Sequence, residues 1–279
     1  MNLDQRLYPY KGDVAAKHLE GQVQADAFVE GSLHRIQAPI TNILSDPSGD
    51  ARTNQAFFGE TFMVYQTQGY WAWGQLLTDG YVGWVSALDL IAHDSTQATH
   101  LICAPLTRAT DASIKVLGTG PLPMGAQLRV SDASIAVNGS SAPFAQSDAG
   151  AIPAAHLQEI GTPQADWVAV AERFAHTPYV WGGRSALGID CSALVQLALQ
   201  QAGLPCPRDS DMQEADMGVA VDRAEGLQRG DLVFWPGHVG IMLDQAKLFH
   251  ANAFAMSTVP EPLADVEARA GKARTIKRL

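Results

Sequence analysis

GIDCSALVQLALQQAG (residues 188–203), followed downstream by GDLVFWPGHVGIML (230–243) and KLFHAN (247–252), decides the fold. The first stretch is apolar on nearly every side and stops at Gly203 and Pro205. It therefore reads as a buried helix with Asp190 as its natural N-cap. DLVFW and HVGIML are two β-runs joined by Pro236-Gly237, and KLFHAN is a third after the turn at Asp244-Gln245. A helix followed by an antiparallel meander makes an α+β domain. Its upstream limit falls at Gly161, where the periodicity becomes helical. Thr162 reads as an N-cap, Pro163 as the first helical residue, and Trp167, Val170, Ala171 and Phe174 as an i, i+3, i+4, i+7 stripe.

Before residue 161 the text is β-like. Residues 31–92 carry FFGETFMVYQTQGYWAWGQLLTDGYVGWVSALDL (57–90), runs rich in Val, Tyr, Phe and Trp broken by Gly and Asp. This predicts a small all-β barrel, and the order GE, Trp, DGYVGWV resembles a bacterial SH3-like domain. Residues 93–160 are expected to form a second such β domain. Strands are predicted at THLICAP (99–105), SIKVLG (113–118), AQLRVS (126–131) and AAHLQEI (154–160), with a loop over VNGSSAPFAQSDAG (137–150). Residues 1–30 read as a lead-in.

The chain has 279 residues, 47% of them hydrophobic, enough for two or three domains with real cores. A formal charge of −10 argues against nucleic-acid or anionic-membrane partners, which need a cationic footprint. The start, MNLDQRLYPYKGDVAAKHLEG, has no apolar core of signal-peptide length, and no run approaches the ~20 apolar residues of a membrane span. These features predict a cytoplasmic chain. Nothing in the sequence specifies an oligomeric partner. Cys103, Cys191 and Cys206 cannot all pair, and their spacing lacks the grammar of a structural zinc site.

Cys191 opens the buried helix, where unpaired N–H groups and the helix dipole favour an anion. This placement predicts a thiol pKa lowered from about 8.5 toward neutrality. Cys103 and Cys206 read as small buried hydrophobes. His238 begins one strand of the meander and His250 lies near the end of the next. If the strands pair, one imidazole can take the thiol proton while the other orients it. His18, His34, His93, His100, His156 and His176 read as structural. Metal binding by Cys191, His238 and His250 is the chemical alternative, and it lacks a fourth ligand.

YVWGG (179–183), GIDCSALVQ (188–196), PRDSDMQ (207–213), GDLVFW (230–235), GHVGIM (237–242) and FHAN (249–252), in this order, resemble the NlpC/P60 papain-like cysteine peptidases. Ala193 replaces the usual glycine after the Cys-Ser pair. The resemblance implies Cys191 as nucleophile, His238 as base and then acid, and His250 as the group holding the other nitrogen of His238, with no cofactor. It also implies that the Cys191 N–H and the Tyr179 hydroxyl face the oxyanion, and that Trp181 lines the substrate.

Together with the SH3-like domain, the chain resembles γ-D-glutamyl-L-diamino acid endopeptidases, which act on murein-derived peptides with a free N-terminal L-Ala. A buried ammonium needs acidic and hydroxyl partners. Asp190, Ser192, Asp209 and Ser210 are the candidates, with Arg208 bracing the acids. In such relatives the positions matched by Glu60 and Tyr81 wall off the cleft and reach the amine. The alternatives are a non-catalytic cell-wall or peptide-binding protein, in which an activated thiol has no use, and a thiol amidase or acyltransferase on another amide.

Overall fold

The computed structural model describes residues 3–49, 51–116 and 118–279. They divide into two compact units, Met1–Ile160 and Gly161–Leu279. The fold class is α+β, with the helices concentrated in the second unit.

In the second unit, besides the short antiparallel pair Arg184–Ser185 and Gly188–Ile189, helices α1 (Trp167–Glu172), α2 (Cys191–Gln201), α3 (Ser210–Asp216) and α4 (Leu263–Ala270) accompany six strands. These are β1 (Val219–Ala220), β2 (Leu232–Trp235), β3 (His238–Met242), β4 (Lys247–Asn252), β5 (Ser257–Pro262) and β6 (Thr275–Arg278). They form one sheet in the order β1-β6-β2-β3-β4-β5, antiparallel throughout. The β2–β3 hairpin closes with Trp235 opposite His238 across the two-residue turn Pro236-Gly237. Gly237 adopts φ 72°, a left-handed conformation that glycine accepts without strain.

Side chains alternate across this sheet. Val233, Trp235, Met242, Leu248 and Ile276 pack with Leu263 and Val266 of α4. α2 packs against β3 and β4, and its Ala193, Leu194, Val195, Leu197, Ala198 and Leu199 are all buried. A helix this apolar has no solvent face to present, so burial from several directions is what holds it. α1 begins at Asp166, whose carboxylate accepts the Ala169 N–H at 3.0 Å, and not at Thr162. An aspartate beside the first helical turn is the stronger acceptor for its free N–H groups. Phe174, the last residue of the expected stripe, is buried just beyond the helix end.

In the first unit, seven strands form one sheet in the spatial order 52–57, 40–44, 82–86, 71–76, 61–68, 32–36 and 90–92. It encloses Ile36, Ile43, Ala56, Phe62, Leu76 and Val85. The stretch read as a lead-in is structured. Val14–Ala16 and Ala27–Val29 pair in parallel, and Val14 packs with Leu44, Trp73, Val82 and Trp84.

Residues 100–159 form three small sheets. Pro123 sits within one of these strands, and proline cannot donate to a ladder, so pairing there stays short. Of the expected strands, 113–116 holds an isolated bridge from Ser113 to Asn138 followed by a turn, and Leu117 lies outside the described residues. The expected loop 137–150 instead contains the strand Phe144–Ser147, hydrogen-bonded on both sides. An ion pair between Arg35 and Asp148, at 2.6 Å, ties this region to the barrel.

Among the described residues no helix is long and apolar enough to cross a membrane. The basic residues near the C-terminus are engaged within the fold: Arg269 with Glu261, Lys272 with Glu267, Arg274 with Glu214 and Arg278 with Asp231.

Gly240 lies between His238 and Met242 on β3, and an added Cβ would come within 2.8 Å of three Leu248 side-chain carbons. Leu248 is fully buried and has nowhere to move. Gly240→Ala is therefore expected to lower unfolding free energy by about 1–3 kcal/mol, the usual cost of overpacking a dense core, measured by urea denaturation.

Candidate active site

Asp190 organises the start of α2. Its Oδ1 accepts the Ala193 N–H at 2.9 Å, and its Oδ2 accepts the Gly182 N–H at 3.0 Å. The N-cap thereby pins the loop that carries Tyr179 and Trp181 to the helix that carries Cys191. Arg208, itself fully buried, donates to both Asp190 oxygens, at 2.9 and 2.6 Å, and to Ser192 Oγ at 2.9 Å. Bidentate geometry offsets the cost of burying both charges. Gln213 of α3 adds a bond from Nε2 to the Ser192 carbonyl at 2.9 Å.

Cys191 is buried at the helix N-terminus, and the Val239 and Ser192 backbone N–H groups donate to its sulfur. Val239 adjoins His238, so the Cys191 sulfur meets the sheet at the start of β3, next to the β2–β3 turn. His238 Nε2 is 2.8 Å from His250 Nδ1, and the rings meet edge to face with centroids 5.0 Å apart. Pairing of β3 with β4 brings the two imidazoles together from the same end of adjacent strands.

The chain of contacts continues beyond the expected residues. His250 Nε2 is 3.0 Å from Glu261 Oε2, which also accepts from Arg269 Nη2 at 2.7 Å. Register places Leu248 opposite Glu261 and His250 opposite Val259, so His250 and Glu261 are diagonal neighbours on β4 and β5. Arg269 comes from α4 and lies over the Phe254 ring, 3.9 Å from its centroid.

The electrostatics correct the expectation of an acidified thiol. Burial pushes Cys191 up to about 12, the Asp190 carboxylate adds to this, and the Val239 N–H, Arg208 and the Ser192 N–H oppose it. The residue that caps the helix is itself an anion, so it offsets the field that would otherwise favour a thiolate. Burial also pushes His238 down to about 3, with His250 and Arg269 adding to the effect and Glu261 opposing it. His250 is lowered by burial, against the pull of Glu261. Glu261 stays below its ordinary value because bonds from Arg269 and His250 outweigh its own burial. Burial thus holds the Cys191 thiol and the His238 imidazole each in its neutral form at rest.

Tyr179 is half-buried, with its phenol raised to about 12 by burial and then by the nearby Cys191 and Asp190 charges. The hydroxyl is thereby kept neutral. Trp181 is exposed, at 69%. Asp209 and Ser210 are partly exposed at the start of α3. Glu60 is fully buried and accepts the Phe57 N–H at 2.7 Å, and Tyr81 belongs to the barrel core. Among the described residues no set of three or more His, Cys, Asp or Glu side chains is placed to hold a metal ion.

Two outcomes follow from this arrangement. Arg208→Met strands the Asp190 carboxylate and is expected to cost about 3–5 kcal/mol of stability, as for other broken buried pairs, measured by denaturant unfolding. A histidine whose pKa is depressed on folding stabilises the native state above its unfolded value, and this stability is lost as pH falls. For His238 the window runs from 6.5 down to about 3. Unfolding free energies across that window should decline less steeply for His238→Gln than for the unsubstituted chain.

The family model described as "NlpC/P60 family" matches residues 176–264, and that described as "Bacterial dipeptidyl-peptidase Sh3 domain" matches residues 43–90. The chain is 41% identical over 87 residues to dipeptidyl-peptidase 6 of Lysinibacillus sphaericus, a match that covers 30% of this chain and 31% of that protein. It is 27% identical over 236 residues to a gamma-D-glutamyl-L-lysine dipeptidyl-peptidase of Bacillus cereus, covering 75% of this chain and 70% of that protein. An NlpC/P60 family protein from Bacillus cereus, solved by crystallography, superposes with a TM-score of 0.73 at 20% identity, covering 88% of this chain and 99% of its own. The chain therefore carries an NlpC/P60 family domain together with a bacterial dipeptidyl-peptidase SH3 domain.

Proposed function

We propose that this protein is a cysteine peptidase that cuts the bond between γ-D-Glu and a diamino acid, diaminopimelate or lysine, in murein-derived peptides with a free N-terminal L-Ala. The observation that carries the chemistry is Cys191 at the start of α2, against the β3 turn whose His238 is hydrogen-bonded to His250 at 2.8 Å. The substrate class is supported by relatives named gamma-D-glutamyl-L-lysine dipeptidyl-peptidase and dipeptidyl-peptidase 6.

In this mechanism Cys191 attacks the scissile carbonyl as His238 removes the thiol proton, since the resting thiol is neutral. The tetrahedral oxyanion takes hydrogen bonds from the Cys191 N–H and the Tyr179 hydroxyl. Collapse breaks the C–N bond, and His238 returns its proton to the departing amine. Water, deprotonated by the same imidazole, then releases the acyl group and restores the thiol. His250 holds the ring of His238 throughout.

We assign Asp190, Ser192, Asp209 and Ser210 to the substrate ammonium, with Arg208 bracing the acids and Trp181 covering the apolar side. A free-peptide substrate fits a cytoplasmic enzyme of cell-wall peptide recycling, and we place the protein there.

Mass-spectrometric analysis of products from L-Ala-γ-D-Glu-diaminopimelate, alongside its N-acetylated form, tests the proposal. Diaminopimelate should be released from the free-amine peptide alone, and Cys191→Ala should abolish release. Cleavage of both peptides would remove the amine requirement and keep the peptidase. Cleavage of neither would favour a binding protein or an amidase of different specificity.

A further inference from the structure

Two neutral imidazoles in contact can share their protons in two ways, and only one leaves a base for the thiol. In the site described above, Nε2 of His238 is committed to His250, so Nδ1 is the nitrogen left to serve Cys191. Nδ1 acts as a base only if the ring proton resides on Nε2. His250 alone does not determine this, because a neutral imidazole accepts or donates at Nδ1 with equal ease.

Glu261 removes the ambiguity. Its carboxyl is held below the ordinary range against its own burial by bonds from Arg269 and His250, so it is ionised and can only accept. Facing it at 3.0 Å, His250 Nε2 must carry a proton. A neutral His250 then has its lone pair on Nδ1, and His238 Nε2 must donate across the 2.8 Å contact. The lone pair of His238 falls on Nδ1 as a consequence.

We infer that Glu261, held by Arg269, is a positioning residue that sets the tautomers of both histidines and thereby makes His238 Nδ1 the base. The catalytic set becomes a directed chain, Cys191–His238–His250–Glu261, whose far end is anchored by a guanidinium from α4. This inference rests on the thiol-peptidase reading of the site. No residue in the chain changes charge at rest, and during attack the carboxylate favours the imidazolium that forms on His238 through His250. Glu261 is partly accessible, with 18% of its side chain exposed, so it orders the buried pair from the rim.

Nitrogen-15 NMR of histidine-labelled protein near neutral pH reads the tautomers directly, with the His238 signals identified by their loss in His238→Gln. Both His238 and His250 are expected as Nε2–H tautomers in the unsubstituted chain. A proton on Nδ1 of either ring would overturn the inference, whatever happens to activity. In Glu261→Gln the amide presents N–H as well as oxygen, so His238 is expected to become a mixture of tautomers. Turnover should then fall about 10- to 100-fold, the scale seen when the carboxylate partner of a metal-bound histidine is removed, with KM nearly unchanged. A folded Glu261→Gln that keeps both the tautomers and kcat would equally overturn it. Should that variant not fold, the spectrum of the unsubstituted chain still decides. Expected tautomers in a protein that cleaves no murein peptide would sink the functional reading and leave this one standing.

Discussion

The Asp190–Arg208 pair is the constraint on which the second unit's chemistry depends. One carboxylate caps α2 through Ala193, holds the preceding loop through Gly182 and receives both arms of a buried guanidinium. Neither charge is tolerable in the interior without the other. With both in place, the loop of Tyr179 and Trp181, the helix of Cys191 and the segment leading into α3 are fixed to one another through a single residue. Such an arrangement positions the Cys191 side chain more rigidly than packing alone, because hydrogen bonds of fixed direction leave little freedom at the helix terminus.

The second half of the site is positioned by the sheet. A two-residue turn delivers His238 at the start of β3, the β3–β4 pairing delivers His250, and the β4–β5 register delivers Glu261. Each contact relies on the alternation of side chains across the sheet, so a one-residue slip would turn these groups to the opposite face. The same strands enclose Trp235, Met242 and Leu248, whose burial against α4 specifies that register. Core packing and tautomer control are thus two consequences of one strand alignment.

Much of this is legible in the sequence where local rules operate. An Asp before an apolar run, Gly and Pro after it, and short β-runs separated by Pro-Gly are signals carried by adjacent residues, so α2, its cap and the β2–β4 meander can be read directly. Glu261 could not be found that way. It lies 11 residues from His250 in a segment, STVPEP, with no distinguishing pattern, and its role exists only once β5 pairs with β4. The same reason hid the parallel pairing of Val14–Ala16 with Ala27–Val29, whose strands are three residues each and stable only against the barrel. The thiol departs from the helix-position expectation for a different reason. Helix position is a local property, but the desolvation of Cys191 and the proximity of the Asp190 charge are set by how completely the surrounding elements close over them.

That closure bears on how a cell could keep such a thiol intact. Oxidants and disulfides attack thiolate, and their selectivity follows thiolate fraction and exposure. A cysteine stored as an exposed thiolate would be continually at risk, whereas Cys191 is 6% exposed and held as the neutral thiol by burial and by its anionic neighbour. In the proposed mechanism its nucleophilicity is generated during the reaction, by an imidazole that is itself kept unprotonated. The requirement falls on proton position more than on charge, because a base that rests with its lone pair misdirected cannot perform the transfer at any pH. The design moves the burden of activation from the cysteine to the hydrogen-bonded chain behind His238, where strand register can enforce it.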